Sequence, residues 1–70
     1  MNKLAERLTE LRTQSGLSQR EFSKRVSIAQ PTVANWEVGR REPSIDTLIK
    51  IAQFFDVSLD YLVGREGYDI

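Results

Sequence analysis

Gln30 and Asn35 stand close together in the segment QPTVANWE, and each carries a carboxamide, a neutral group that donates and accepts hydrogen bonds in one plane. That pair of functions matches the N6 and N7 edge of adenine in the major groove of a duplex. Pro31 and Ala34 lie between them: a proline ring can touch a thymine methyl, and alanine keeps the surface low enough for close approach. The Thr32 hydroxyl and the Gln19 amide are of types that hold phosphate. All these side chains are equally at home as solvated polar surface, so residue type alone leaves both readings open. Other chemistry is poorly supplied. The 70 residues include no cysteine and no histidine, which removes the usual zinc ligands and the usual proton shuttle at neutral pH. There is no glycine-rich phosphate loop, and the carboxylates show no paired acid and base arrangement. No enzyme, metal site, cofactor or small-molecule ligand is expected.

The elements that must carry these groups are written in caps and spacing. Leu4, Leu8 and Leu11, with Ala5 beside them, recur at helical intervals and lay one apolar stripe on a first helix ending near Gly16. Ser18 and Glu21 form a Ser-x-x-Glu capping box that starts a second helix, with Leu17 placed to staple onto Phe22. Phe22 and Val26 point inward, and the helix should stop near Val26. Pro31 is tolerated only in a helix's first turn, so a third helix begins between Ala29 and Pro31. At about 100° per residue, Ala29, Val33 and Trp36 fall on a core side and Gln30, Pro31, Ala34 and Asn35 on the other. Gly39 suits the stop, and Pro43 bars resumption before Ser44.

Ser44 caps a fourth helix with Asp46 in its first turn, and Ile45, Leu48, Ile49, Ala52 and Phe55 make its inward stripe, with Phe54 off it. Ser58 caps a short fifth helix with Asp60 in its first turn, Val57 set to staple onto Leu62, and Gly64 as the stop. Nothing reads as a strand. The expectation is an all-α domain of five helices over residues 1–64, with helix-turn-helix at helices two and three, followed by a loose tail over 65–70.

Charge is unevenly spread behind a net of zero. From Arg12 to Arg41 there are six bases and two acids, and from Glu42 to Ile70 six acids and two bases. Such a bipolar chain presents one face to an anion and repels it with the other, although both blocks are also compatible with ordinary solvated surface. The N-terminal MNKLAERLTELR carries charges at helical intervals and no continuous apolar run, so neither a signal peptide nor a membrane span is expected, and the protein is expected in the cytoplasm.

Four motifs in this order, Gly16-Leu17-Ser18-Gln19, Gln30-Pro31-Thr32, Trp36-Glu37-x-Gly39-Arg40-x-x-Pro43 and Leu59-Asp60-x-Leu62, resemble the lambda repressor and Cro (xenobiotic-response-element) family of helix-turn-helix proteins, across nearly the whole chain. The resemblance implies that Gln30, Pro31, Ala34 and Asn35 read bases and that Gln19, Thr32, Arg40 and Arg41 contact the phosphate backbone. It implies an ion bridge between Arg12 and Glu37, and Trp36 fits the core better than a base-stacking platform. The sequence departs from the family at Ser27, where glycine is usual, and at Ala29, where serine often caps the third helix. The expected function is a transcriptional repressor that occupies double-stranded DNA, as a homodimer on a palindromic operator with half-sites about 34 Å apart. Phe54, Leu59, Tyr61 and the tail offer apolar surface for that dimer. The competing reading is an antitoxin or a protein-interaction adaptor of the same fold, separated from the first by the salt dependence of duplex binding.

Overall fold

A computed structural model of the chain describes residues 2–65. Five helices follow one another: α1 Leu4–Gln14, α2 Gln19–Val26, α3 Gln30–Glu37, α4 Ile45–Phe55 and α5 Leu59–Val63. Among the described residues there is no strand. The tail expected over 65–70 lies outside the described residues apart from Arg65.

Three starts are built as the caps require. Ser18 Oγ accepts from Glu21 N at 3.0 Å while Ser18 N donates to Glu21 Oε1 at 2.8 Å, so α2 opens with two of its orphan groups satisfied reciprocally. Those bonds hold the exposed Glu21 carboxyl below the ordinary glutamate range. Ser44 accepts from Thr47 N, and Ser58 from Tyr61 N, at the starts of α4 and α5. α3 differs. Ala29 is its N-cap, in extended backbone with no side-chain cap bond, and Pro31 falls within its first two positions, where no amide hydrogen is missed.

Leu4, Leu8, Phe22, Val26, Val33, Trp36, Ile51, Ala52 and Leu62 form the core, with contributions from every helix. α1 packs on α3 and α5, α2 packs on α3 and α4, and α4 packs on α5, so α2 and α3 share an apolar underside and leave their opening turns outward. The Phe22 ring stacks on Phe55 at 5.3 Å and meets Phe54 edge-on at 5.5 Å, which places three aromatic rings where α4 closes over α2.

The inward face of α4 corrects the expected stripe. Ile45 and Ile49 are exposed, at 68% and 40%, whereas Ile51, absent from the expected set, is wholly buried. Residues 48, 51, 52 and 55 also recur at i, i+3, i+4 and i+7, and it is this neighbouring stripe that turns inward. Seven of the helix's eleven residues are apolar, too broad a band for period alone to choose between the two. Phe54 is on the flank, as expected, yet it covers Phe22. Ala29 is a second correction: it is exposed, because an N-cap in extended backbone does not keep the helix phase that the 100° rule assumes.

Ser27, between α2 and α3, adopts the left-handed conformation with φ 60°. A side chain there costs about 1 kcal/mol relative to glycine, which accounts for the turn's usual preference for glycine. Gly64 ends α5 at φ 81°, and a Cβ on it would come within 2.8 Å of the Lys3 Cβ, so both backbone and space demand glycine.

Candidate nucleic-acid interface

Two residues of α3 hold it down: Val33 is wholly buried and Trp36 is 5% exposed. With that edge fixed, Gln30, Pro31 and Thr32 of the opening turn are exposed, and Ala34 and Asn35 are half-buried at the side of the helix. The structure thus brings the four base-reading candidates onto one continuous surface, graded from its exposed beginning to its partly covered second turn. The Asn35 carbonyl accepts from Arg40 N at 3.0 Å and Arg41 N at 3.3 Å, which folds the loop after Gly39 back against the end of α3. Arg40 and Arg41 are both exposed in that loop.

The far end of α3 is tied to α1 by a two-pronged ion pair. Arg12 Nε donates to Glu37 Oε2 at 2.6 Å and Arg12 Nη2 to Glu37 Oε1 at 3.0 Å, while Nη1 donates to the Leu17 carbonyl at 2.7 Å. The pair is largely removed from solvent, with side-chain exposure of 13% and 4%. Burial works to raise the Glu37 carboxyl, but hydrogen bonds from Arg12 and Gln19 and the Arg12 charge outweigh it, so the group sits below the ordinary glutamate range. The bond to Glu37 raises the Arg12 guanidinium in turn, against a smaller effect of burial. One arginine therefore joins α1, the α1–α2 turn and α3.

Gln19, expected to hold phosphate, is engaged within the protein through both ends of its side-chain amide. Its Nε2 donates to Glu37 Oε1 at 3.0 Å and its Oε1 accepts from Gln30 Nε2 at 2.8 Å. Its amide bridges the buried ion pair to the leading residue of α3. Sequence reasoning missed this bridge, although one signal pointed to it: Gln30 and Glu37 are seven residues apart, two helical turns, and so lie on one edge of α3. Thr32 faces solvent on the other flank of the opening turn.

Among the described residues no group of three His, Cys, Asp or Glu is arranged to hold a metal ion. No helix among them is long and apolar enough to cross a membrane.

Known proteins are similar in sequence and fold. The profile of a helix-turn-helix family, HTH_3, matches residues 8–62. The HTH-type transcriptional regulator ImmR of Bacillus subtilis is 36% identical over 63 residues, covering 90% of this chain and 50% of that protein. The chain spans about half the length of the first curated relatives it matches. A transcriptional regulator from Listeria innocua superposes with a TM-score of 0.88 at 30% identity, over 100% of this chain and 64% of that one. The restriction-modification controller protein C.AhdI of Aeromonas hydrophila superposes with a TM-score of 0.77 at 33% identity, over 86% of this chain and 91% of that one. With a buried Val33–Trp36 edge, an exposed opening turn on α3 and a family profile spanning all five helices in whole or part, the chain belongs to the helix-turn-helix family HTH_3.

Proposed function

We propose that the chain is a sequence-specific reader of double-stranded DNA and a transcriptional regulator, repressing by occupying its operator. The observation that carries this reading is the division of α3, whose Val33 and Trp36 are buried while Gln30, Pro31 and Thr32 stand exposed at its opening turn. An α-helix fits the major groove, and side chains of its N-terminal turn reach base edges. Gln30 meets an adenine, Asn35 reaches a base one turn on, and Pro31 with Ala34 touches apolar base edges. Thr32 contacts phosphate, and Gln19 does so with the amide hydrogen its bridge leaves over. The exposed Arg40 and Arg41 add affinity without sequence information. The names of ImmR and of the Listeria innocua protein, both transcriptional regulators, support the same reading.

Residues 1–64 act as the DNA-binding unit, and two copies on a palindrome are its working form, since one such unit reads only a few base pairs. Phe54 and Leu59, 37% and 38% exposed, supply apolar surface for that pairing, whereas Tyr61 is half-buried with the Arg7 guanidinium over its ring. Selection from a random duplex pool tests the proposal. A recovered consensus, bound with a log affinity that falls steeply against log salt, supports it. A pool that stays random, with no salt-dependent binding, contradicts it and favours a protein-interaction module.

A further inference from the structure

Gln19 lies between two groups that dictate which end of its amide faces which. The Glu37 carboxylate can only accept, so the Gln19 atom against it, at 3.0 Å, is the nitrogen. The Gln19 oxygen then points the other way and needs a donor, which Gln30 Nε2 supplies at 2.8 Å. Gln30 is left with its oxygen and the second hydrogen of its nitrogen, one acceptor and one donor, on an exposed side chain. The last torsion of a lone glutamine is broad and nearly two-fold, so nothing intrinsic to Gln30 prefers this orientation over its reverse. The preference comes from Glu37, whose backbone lies about 10 Å along the helix axis from that of Gln30 and whose carboxylate reaches it through the Gln19 amide by bonds of 3.0 and 2.8 Å. Arg12 keeps that carboxylate ionised, and hence acceptor-only, across the neutral range.

The two orientations suit different bases. Adenine offers a donor at N6 and an acceptor at N7, whereas guanine offers acceptors at both N7 and O6. An acceptor-plus-donor edge on Gln30 complements adenine. The reversed amide, with its oxygen taken by Gln19, would turn both N–H hydrogens outward and complement guanine.

We propose that Glu37 is a positioning residue for base choice: through Gln19 it fixes the orientation of the Gln30 amide and so biases the site towards adenine over guanine. This rests on the reading that Gln30 meets a base edge. In Glu37→Gln the new amide can turn its own nitrogen to Gln19, which then offers nitrogen rather than oxygen to Gln30, and the bias is lost.

The test uses the full chain and a set of duplexes carrying each base in turn at each operator position. Gln30→Ala identifies the position it reads as the one where the preference for adenine disappears. At that position Glu37→Gln lowers the adenine-to-guanine affinity ratio by about tenfold, the discrimination that one bidentate pair contributes, and leaves the ratios elsewhere unchanged. A purely structural role would weaken all duplexes alike, so an unchanged ratio overturns the proposal. If Gln30→Ala alters no position, the base-reading assignment falls, and the relay with it. Should Glu37→Gln not fold, nitrogen-15 NMR of the wild-type chain decides. Gln19 and Gln30 side-chain amides that exchange slowly with solvent and show mutual nuclear Overhauser effects support the relay, and amides that exchange freely without them overturn it.

Discussion

α1 to α3 and α4 to α5 are both built on apolar stripes, with serine caps at α2, α4 and α5, yet they use polar groups in opposite ways. In the first region Arg12 and Glu37 are taken out of solvent and joined through Gln19 to Gln30. In the second, Asp46, Lys50, Asp56 and Asp60 remain on the surface, and it is apolar groups, Ile45, Ile49, Phe54 and Leu59, that are partly exposed. Removing charges from water costs more than packing aliphatic groups of the same volume, so a buried pair adds little net stability. What it adds is direction: a hydrogen-bond network permits few arrangements, whereas an apolar contact slides. The chain puts its direction-giving bonds where a side chain must be aimed, and its simple packing where a body need only be held.

The largest effect is expected at Trp36. Truncation to alanine removes the aromatic anchor shared by α3 and α1, at a cost of about 3 to 5 kcal/mol. A domain of this size has about that much stability in total, so Trp36→Ala should show no cooperative thermal transition by circular dichroism. A normal transition would place Trp36 outside the core.

Glu37→Ala leaves the Arg12 guanidinium without its partner and should destabilise by about 3 kcal/mol in denaturant titration. Asp46→Asn or Lys50→Gln in the acidic half should change stability by no more than about 0.5 kcal/mol. Similar effects in both halves would erase the distinction. The same pair gives a sign to the pH dependence. The Glu37 and Glu21 carboxyls lie below their ordinary value of 4.5 in the folded chain, so their contribution is fully present above that pH and is lost as pH falls through the lowered values. Melting temperature should therefore drop below about pH 4.5, and less steeply in Glu37→Gln than in wild type.

A smaller effect is expected at Arg40. Replacement by alanine should weaken every duplex alike and reduce the salt slope by about one, with base preferences intact. Smallest are the two departures around α3. Ala29→Ser supplies a second acceptor for the Thr32 amide, which already donates to the Ala29 carbonyl at 3.0 Å, and should stabilise by about 0.5 kcal/mol, the low end for a cap. Ser27→Gly relieves the left-handed strain by a similar amount, about 1 kcal/mol less the entropy glycine loses on folding. Both would raise the melting temperature without altering operator preference.

How far the molecule can be read in advance differs between the same regions. The starts of α2, α4 and α5 are legible because a cap is chemistry among neighbours in sequence: Ser18 with Glu21, Ser44 with Thr47, Ser58 with Tyr61. The outward turn of α3 is legible because Pro31 fixes its start and the spacing of Val33 and Trp36 fixes its rotation. The inward face of α4 is not, since Ile45 and Ile49 compete with Ile51 on hydrophobicity and the choice is made by packing against α2 and α5. The Gln19 bridge is hidden for another reason. It joins residues of two helices, α2 and α3, through atoms that meet only after folding, and its parts look individually like solvated amides and a surface acid.

The claim on which the rest depends is that the opening turn of α3 reads bases while its Trp36 edge is anchored. Titrating the selected operator with wild-type chain and Gln30→Ala, both confirmed folded, tests it most directly. The account predicts a loss of about 1 to 3 kcal/mol for Gln30→Ala, confined to sequences carrying the preferred base at one position of each half-site. Indistinguishable titrations across all bases at every position would contradict it.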